Sequence, residues 1–351
     1  NENHFLLIQE MIFFNDVVRF LSLFLNHLTY LIMKTYPCSF FPGPTMIDDD
    51  VLRLGLVNYG SADVEPEFAQ LYDNCVINLQ KLYATEHDVV IMTGAGMLVL
   101  WSALKSCLVK GDKVLCISTG VFGDGMKSMA ESIGCNVKLV SFPYNSSYQD
   151  YDLIEHEIKS FKPKMITVVQ CETPSGIMND MSVIGKLKKM YDVPLLYVDA
   201  VSALGGAPVN VDENNIDLCL GGSQKVLGNP PNSCFTTVSP TAWNIIEKVK
   251  YAGYDALLDF RNAFKMGKFP YTLSWVNMAQ LHLASEKLLT EGLDNVYARH
   301  ETCAAMVRDC LKQMGIKLFP MSEEYSASTV TAAYVPDGFS WEEWNNTLRS
   351  K

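Results

Sequence analysis

The stretch "KMITVVQCETPSGIMNDMSVIGKLKKMYDVPLLYVDA", residues 164–200, decides the fold. It begins and ends with short apolar runs, "KMITVVQ" and "VPLLYVDA", and "MSVIGKLKKMY" between them repeats apolar residues at helical spacing. A strand, a helix and a strand in this order predict a βαβ unit with two parallel strands. Because both runs are almost continuously apolar, we expect strands that are buried on both faces of the sheet.

The same alternation extends on both sides of this stretch. Further strands are predicted at "DVVIM", "KVLCIS", "NVKLVSF", "DLCLGG" and "CFTTVS", with helices at "MLVLWSALKSCLV", "GMKSMAESIG" and "YDLIEHEIKSF". This pattern predicts an α/β fold, with a large domain over residues 41–275 built on a mixed, mostly parallel sheet. Longer helices and the run "STVTAAYVP" predict a smaller α+β domain over residues 276–351.

Composition narrows the possible functions. The chain has 351 residues, a formal net charge of -11 and no basic stripe with aromatic residues, which argues against a nucleic-acid partner. Its ten cysteines form no CxxC pair and no spacing with histidine that would build a zinc site, so no metal is expected. Free thiols in a reducing, intracellular compartment are favoured over a disulfide framework.

Residues 1–40 form an apolar extension. The segment "FLLIQEMIFFNDVVRFLSLFLNHLTYLIMKTY" is interrupted by Glu10, Asp16 and Arg19, so no clear membrane span is expected. We favour an amphipathic helix that packs on a partner subunit, and a signal-like or membrane-surface segment is the alternative.

Polar residues at strand ends indicate a binding site, because ligands of such sheets bind at the carboxyl ends of the strands. "TGAG", residues 93–96, follows the first strand and opens a helix, whose free N–H groups and dipole suit a phosphate. A dinucleotide site is the alternative. However, Val99 stands at the third glycine position, and the next strand ends in Ser118 and Thr119 without an acid.

Two further strand ends carry ionisable residues. "VPLLYVDA" delivers Asp199, and "DLCLGGSQK" delivers Lys225. A salt bridge or a helix cap would also explain Asp199, and a surface loop would also explain Lys225. Together with the phosphate loop, however, the pair suggests pyridoxal 5'-phosphate, which needs a lysine for its Schiff base, an acid at its ring nitrogen and an anion cradle.

Five segments carry a family resemblance. They are "FFPGPT" (40–45), "TGAG" (93–96), "VDAVSALGG" (198–206), "GGSQKVLGNPP" (221–231) and "FPYT" (269–272). They resemble the class V pyridoxal-phosphate-dependent aminotransferases, and among these most the alanine–glyoxylate and serine–pyruvate group. The resemblance implies a homodimer of the aspartate-aminotransferase-like fold, called fold type I.

The resemblance also implies roles for individual residues at the cofactor ring. Lys225 matches the Schiff-base lysine and Gln224 a neighbouring cofactor contact, while Asp199 matches the partner of the pyridinium nitrogen. Val201 matches the residue packed on one ring face. Phe122 matches the aromatic residue on the other face, although a buried core phenylalanine remains the alternative.

Other matched positions surround the phosphate and the entrance. Thr173 matches the hydroxyl beside the 3-oxygen of the cofactor, or it simply precedes a turn at Pro174. The phosphate loop matches at Ala95, Gly96 and Met97, of which the first and last offer no side-chain donor. Thr272 matches a residue that reaches the phosphate of the neighbouring subunit. Pro42 and Gly43 match the substrate entrance, with a rigid turn as the alternative.

One departure concerns substrate binding. The family pattern continues beyond Lys351, through a segment that carries the arginine for the substrate carboxylate. Arg349 does not match that arginine, because it lies in the preceding helical pattern. The resemblance therefore implies a small domain that is incomplete, or a changed way of anchoring the substrate.

We expect an aminotransferase that works by ping-pong transfer from alanine or serine to an oxo acid such as glyoxylate or pyruvate. Two alternatives stay open. One is an inactive homologue of the same fold, which the unmatched arginine favours. The other is a lyase or desulfurase, although Cys303 and Cys310 lie on helical patterns and not on a late loop.

Overall fold

Strands form the centre of the computed structural model, which describes residues 39–266 and 268–350. The strands are β1 (Asp88–Thr93), β2 (Lys113–Ser118), β3 (Asn136–Ser141), β4 (Met165–Val169), β5 (Cys171–Glu172), β6 (Ile177–Met178), β7 (Leu195–Asp199), β8 (Leu218–Gly222) and β9 (Ser233–Val238). All but β5 and β6 belong to one seven-stranded sheet, and these two pair separately with each other. Every strand predicted between residues 88 and 239 is therefore present.

The seven-stranded sheet has the order β1-β9-β8-β7-β4-β2-β3. The neighbours from β8 to β3 pair in parallel, whereas β9 is antiparallel to both β8 and β1. This is the mixed, mostly parallel sheet that the sequence predicts. The register pairs Val169 of β4 with Asp199 of β7, and Asp199 with Leu220 of β8. The carboxyl ends of three neighbouring strands consequently lie side by side.

Helices connect the strands and cover the sheet. They are α1 (Asp49–Arg53), α2 (Pro66–Tyr83), α3 (Gly96–Cys107), α4 (Val121–Ile133), α5 (Tyr151–Phe161), α6 (Met181–Met190), α7 (Pro240–Val249), α8 (Ala263–Met266), α9 (Trp275–Glu291), α10 (Leu293–Gln313) and α11 (Trp341–Arg349). Helices α5 and α6 begin where aspartate side chains accept backbone N–H groups, namely Asp150 from Leu153 and Asp180 from Ser182. Such caps satisfy donors that have no partner within the helix.

Helix α9 packs on α2 through buried polar contacts. The thiol of Cys75 donates to the carbonyl oxygen of Met278 over 3.4 Å, and the amide of Asn78 donates to the hydroxyl of Ser285 over 3.1 Å. Because buried polar groups must be hydrogen-bonded, these contacts fix how the two helices lie against each other.

The strand predicted at "STVTAAYVP", residues 328–336, is not formed. Ala333 makes an isolated antiparallel bridge to Leu318, flanked by the bonds from Phe319 N to Ala332 O and from Tyr334 N to Lys317 O. The apolar and β-branched residues do favour an extended chain, but a strand also needs a longer neighbouring segment to pair with. Within the described residues this segment finds only that short partner.

Residues 41–351 form one compact unit. The predicted boundary between residues 275 and 276 stays a prediction. The helix predicted in the N-terminal extension falls on residues 1–38, outside the described residues. None of the helices in the described part of the chain has the length and apolar content that a membrane span requires.

Two helical glycines give a matched test of packing. A Cβ at Gly185, in α6, would lie 1.9 Å from the carbonyl oxygen of Asn214, whereas a Cβ at Gly125, in α4, would meet nothing within 4 Å. We expect Gly185→Ala to lower the free energy of unfolding by about 1–3 kcal/mol, because backbone must move. Gly125→Ala should raise it by up to about 1 kcal/mol. Urea denaturation of both variants measures the difference, and equal effects would contradict the packing described.

Candidate active site

A cavity of about 220 Å³ opens at the carboxyl edge of β7 and β8. It brings together the predicted residues Ala95, Gly96, Met97, Phe122, Thr173, Asp199, Val201, Gln224 and Lys225. Leu100, Cys171, Ser202 and Leu220 complete its lining. Of this lining, the strand-end rule points to Ala95, Gly96, Asp199, Gln224 and Lys225, and the family resemblance adds Met97, Phe122, Thr173 and Val201.

A larger cavity, of about 670 Å³, lies at the opposite edge of the sheet, where β2 and β7 begin. Its lining includes four lysines and two aspartates. Lys164 is paired with Asp112 over 2.7 Å, and Lys113 donates to the carbonyl oxygen of Phe161 over 3.0 Å. These two of its four lysines already have partners, and none of the predicted site residues lines it, so the cavity at the carboxyl edge is the stronger candidate despite its smaller volume.

Asp199 ends β7 and is 8 % exposed. Its Oδ1 accepts the backbone N–H of Val201 over 2.9 Å. Burial raises the pKa of Asp199 to about 6, while the Val201 N–H and the charge of Lys225 act in the opposite direction. A buried carboxylate of this kind favours a ligand that brings its own positive charge, because that charge stabilises the ionised form.

Lys225 lies in the loop after β8 and is half-buried. Its Nζ donates to the carbonyl oxygen of Pro42 over 2.7 Å. Burial lowers the pKa of Lys225, although the charge of Asp199 opposes that shift. A lowered pKa increases the fraction of neutral amine, which is the form that attacks a carbonyl carbon.

The segment at Pro42 and Gly43 is fastened to the lysine loop. The backbone N–H of Thr45 donates to Gln224 O over 3.0 Å, and the Thr45 hydroxyl donates to Lys225 O over 2.6 Å. Gly43 has φ +132°, and a Cβ there would lie 2.6 Å from Lys225 Nζ. Only glycine leaves the space that the lysine occupies.

Helix α3 directs its N-terminus into the cavity through Ala95, Gly96 and Met97. Ala95 is the N-cap residue and makes no side-chain cap bond. The first N–H groups of a helix have no partner within the helix, and the helix dipole adds positive potential there. The turn can therefore bind an anion through its backbone, without the side-chain donors that Ala95 and Met97 lack.

Two apolar side chains line the cavity as well. Val201 lies close to Gly96, where a Cβ would approach Val201 Cγ2 to 3.3 Å. Phe122 is 40 % exposed, so it is not the core phenylalanine that the sequence left as an alternative. Both side chains line the cavity, so their surfaces are available to a flat ring.

Hydroxyl and amide groups add polar contacts. Thr173 Oγ1 and Ser202 Oγ lie 2.5 Å apart, and both residues are buried. Gln224 Oε1 is buried and has no hydrogen-bond partner among the described residues. An orphaned acceptor at a cavity wall costs free energy until a donor binds to it, which is typical of a ligand site.

Thr272 is not part of this lining. It is exposed, and its hydroxyl donates to Asp63 Oδ2 over 2.6 Å. The predicted contact with a neighbouring subunit's cofactor therefore stays a prediction. No three His, Cys, Asp or Glu side chains are placed to hold a metal ion in the part of the chain that the structure describes.

Sequence reasoning missed Ser202, Cys171 and Glu172. Ser202 stands three residues after Asp199 in the same motif, so its position could have been noticed. Cys171 is buried in the lining, and burial raises the pKa of its thiol to about 12. Glu172 is fully buried beside the cavity. Its signal was a carboxylate two residues beyond the predicted strand "KMITVVQ", near the sheet edge at which Asp199 was also predicted.

Comparison with known proteins decides the family. The family model described as aminotransferase class-V matches residues 52–349. The chain belongs to the class V aminotransferases. An uncharacterized aminotransferase of Methanocaldococcus jannaschii is 35 % identical over 317 residues, 88 % of this chain and 80 % of that protein. The alanine–glyoxylate aminotransferase of Rattus norvegicus is 26 % identical, over 86 % of this chain and 74 % of that protein.

A solved structure agrees with this membership. The pyridoxamine–pyruvate aminotransferase of Mesorhizobium loti has a TM-score of 0.82 and is 28 % identical, over 88 % of this chain and 81 % of that one. The predicted family, the fold type I architecture and the cofactor, pyridoxal 5'-phosphate, are thereby confirmed.

The cavity of this class V aminotransferase fits that cofactor. Asp199 offers a buried acceptor with a raised pKa, Gln224 offers an orphaned oxygen, and α3 offers a helix N-terminus for a phosphate. Lys225 offers an amine to which the aldehyde could attach. The carboxylate thus suits the ring nitrogen of the cofactor, the helix N-terminus suits its phosphate, and the amine suits its aldehyde.

Replacing Gly43 tests the space around Lys225. We expect Gly43→Ala to slow covalent attachment of the cofactor at least about tenfold, because a Cβ would displace the amine that must be positioned for attack. Gly111 is the matched control, since its φ is also positive, at +89°, and a Cβ there meets nothing within 4 Å. The absorbance change after the cofactor is added to the cofactor-free protein measures the rate. Equal rates for the two variants would show that the contact is unimportant.

Replacing Asp199 tests the cost of its burial. The pKa of Asp199 is higher in the folded protein than in the unfolded chain. Its contribution to folding stability is therefore fully present at a pH below the pKa of the unfolded chain, and it is lost as the pH rises through about 6. Asp199→Asn should therefore stabilise the cofactor-free protein at alkaline pH, by up to about 3 kcal/mol, and change little at acid pH. Denaturation at both pH values checks this. A destabilised variant at alkaline pH would mean that the carboxylate is not strained by burial.

Proposed function

We propose that this protein transfers the amino group of a small amino acid, alanine or serine, to an oxo acid such as glyoxylate or pyruvate. One observation carries the proposal: the half-buried Lys225 and the buried Asp199 face one cavity, which the N-terminus of α3 also enters. Transfer proceeds in ping-pong fashion, because the donor must leave as an oxo acid before the acceptor enters the same small cavity.

The cofactor, when bound, supplies an electron-withdrawing ring that stabilises negative charge at the reacting carbon. Lys225 Nζ removes the proton from that carbon and later returns a proton, a role that suits an amine whose pKa burial has lowered. Asp199 stays ionised beside a positive ring nitrogen and keeps that nitrogen protonated. The N–H groups at the start of α3 bind the phosphate.

Phe122 and Val201 would hold the ring of the cofactor between them. Thr173 would offer its hydroxyl to the 3-oxygen, and Gln224 would contact a neighbouring ring substituent. We propose these assignments because all four side chains line the cavity that Asp199 and Lys225 share. A fixed ring keeps the reacting bond aligned for proton transfer, which is the contribution of positioning to catalysis.

We also propose that the working enzyme is a homodimer. Thr272 is exposed and lies outside the cavity lining, where it bonds to Asp63. In a dimer its hydroxyl reaches the phosphate bound by the other subunit. Substrates enter past Pro42 and Gly43. The carbonyl oxygen of Pro42 accepts a hydrogen bond from Lys225, and Gly43 has no side chain that would collide with Lys225.

The activities for which relatives are named guide the choice of substrates. The relative in Rattus norvegicus is named for alanine and glyoxylate, and the solved structure from Mesorhizobium loti for pyridoxamine and pyruvate. Cys303 and Cys310 do not favour a desulfurase, because both lie on helix α10 and neither lines the cavity. An inactive homologue would appear as cofactor binding without turnover.

Lys225→Ala tests the proposal. The purified protein is loaded with cofactor and offered alanine, serine, aspartate or pyridoxamine, with glyoxylate or pyruvate as acceptor, and oxo-acid formation is measured. We expect turnover with alanine or serine, and its loss by on the order of a thousandfold or more in Lys225→Ala, because the base and attachment point are gone. Lys186→Ala, an exposed lysine on α6, is the control and should match the wild type. Turnover that survives Lys225→Ala would refute the mechanism.

A further inference from the structure

Glu172 is a buried carboxylate that the assignments above do not use. It belongs to the two-residue strand β5, and its neighbours Cys171 and Thr173 both line the cavity. Side chains alternate along an extended chain, so Glu172 points the other way. There its Oε1 accepts the backbone N–H of Gly123 over 2.7 Å, and its Oε2 accepts that of Phe122 over 3.2 Å.

These contacts occupy the N-terminus of α4. The preceding residue, Gly120, provides no side-chain cap, and a Cβ on it would lie 2.7 Å from the carboxyl carbon of Glu172. The carboxylate therefore takes the place that a cap side chain usually fills. A negative charge at this end of the helix is also favoured by the helix dipole.

Burial of Glu172 is complete, at 0 % exposure, and no lysine or arginine is described as its partner within residues 39–266 and 268–350. Burial raises its pKa to about 7, and the two N–H donors act against that rise. An unpaired buried carboxylate is costly, so these two bonds fix both the side chain and the turn that donates them.

The held turn includes Phe122, whose ring lines the cavity. We propose that Glu172 is a positioning residue for the cofactor: its buried carboxylate holds the backbone of Phe122 and thereby fixes where that ring lies. The inference rests on the proposed function only in that Phe122 packs on the cofactor ring. Stacked rings contribute affinity only at a favourable offset and distance, so a displaced turn weakens binding.

A double-mutant cycle tests whether Glu172 acts through Phe122. The wild type, Glu172→Gln, Phe122→Ala and the double variant are prepared without cofactor, and pyridoxal 5'-phosphate is titrated into each. Glu172→Gln should weaken binding by roughly three- to tenfold, because glutamine has one acceptor oxygen for two N–H groups. In the Phe122→Ala background the same substitution should change the dissociation constant by less than about twofold.

Circular dichroism of the bound cofactor gives a readout that a purely structural role would not change. We expect Glu172→Gln to reduce this signal, since it reports the position of the ring. Asp150→Asn is the matched control, because Asp150 also accepts an N–H at a helix start, over 2.8 Å, yet does not line the cavity. It should lower thermal stability and leave the cofactor signal unchanged.

The outcomes separate the two proposals. Equal losses of affinity in both backgrounds, or a stability loss without any change in affinity and dichroism, would overturn the role of Glu172. If Glu172→Gln does not fold, Glu172→Asp, which keeps the charge but shortens the reach, takes its place in the cycle. Failure of turnover with intact cofactor binding would instead count against the proposed function and leave the role of Glu172 standing.

Discussion

Burial of the Asp199 carboxylate at the end of a parallel strand is the constraint on which the site depends. Strand β7 lies between β4 and β8, so the carboxylate cannot turn to bulk water. Its charge must be offset by groups that the neighbouring strand ends and loops supply, since an isolated buried charge is not tolerated. The Val201 N–H and the Lys225 ammonium supply part of that compensation. This compensation is incomplete, because the pKa of Asp199 is still raised to about 6. A positively charged group of the cofactor would complete it.

Glycines around the cavity show how closely the backbone must approach the functional side chains. A Cβ would meet Lys225 at Gly43, Glu172 at Gly120 and Gln224 at Gly222, each within 3 Å. These positions belong to three separate segments of the chain, and each lies against a polar side chain. These side chains therefore have few alternative conformations. A site that is preorganised in this way loses less entropy when its ligand binds.

Some of this organisation could be read from sequence, and some could not. Asp199 and Lys225 were predictable because parallel strands end at one edge, whatever the details of packing. The direction of Glu172 was not, because it depends on alternation in a two-residue strand and on the helix start that this strand meets. Residues 328–336 failed as a strand for a related reason, since an extended pattern does not specify its partner. Local propensity decides conformation, and tertiary contacts decide pairing.

The two carboxylates at this edge are coupled, and the coupling bears on how the site responds to its ligand. Burial is the main cause of the raised pKa of Glu172, and the charge of Asp199 adds to it. A cofactor that brings a positive ring nitrogen to Asp199 would offset that added contribution. An ionised Glu172 holds the N–H groups of Phe122 and Gly123 more strongly than a protonated one, because charged acceptors make the stronger bonds. The charge at Asp199 therefore bears, through Glu172, on how firmly the backbone of Phe122 is held.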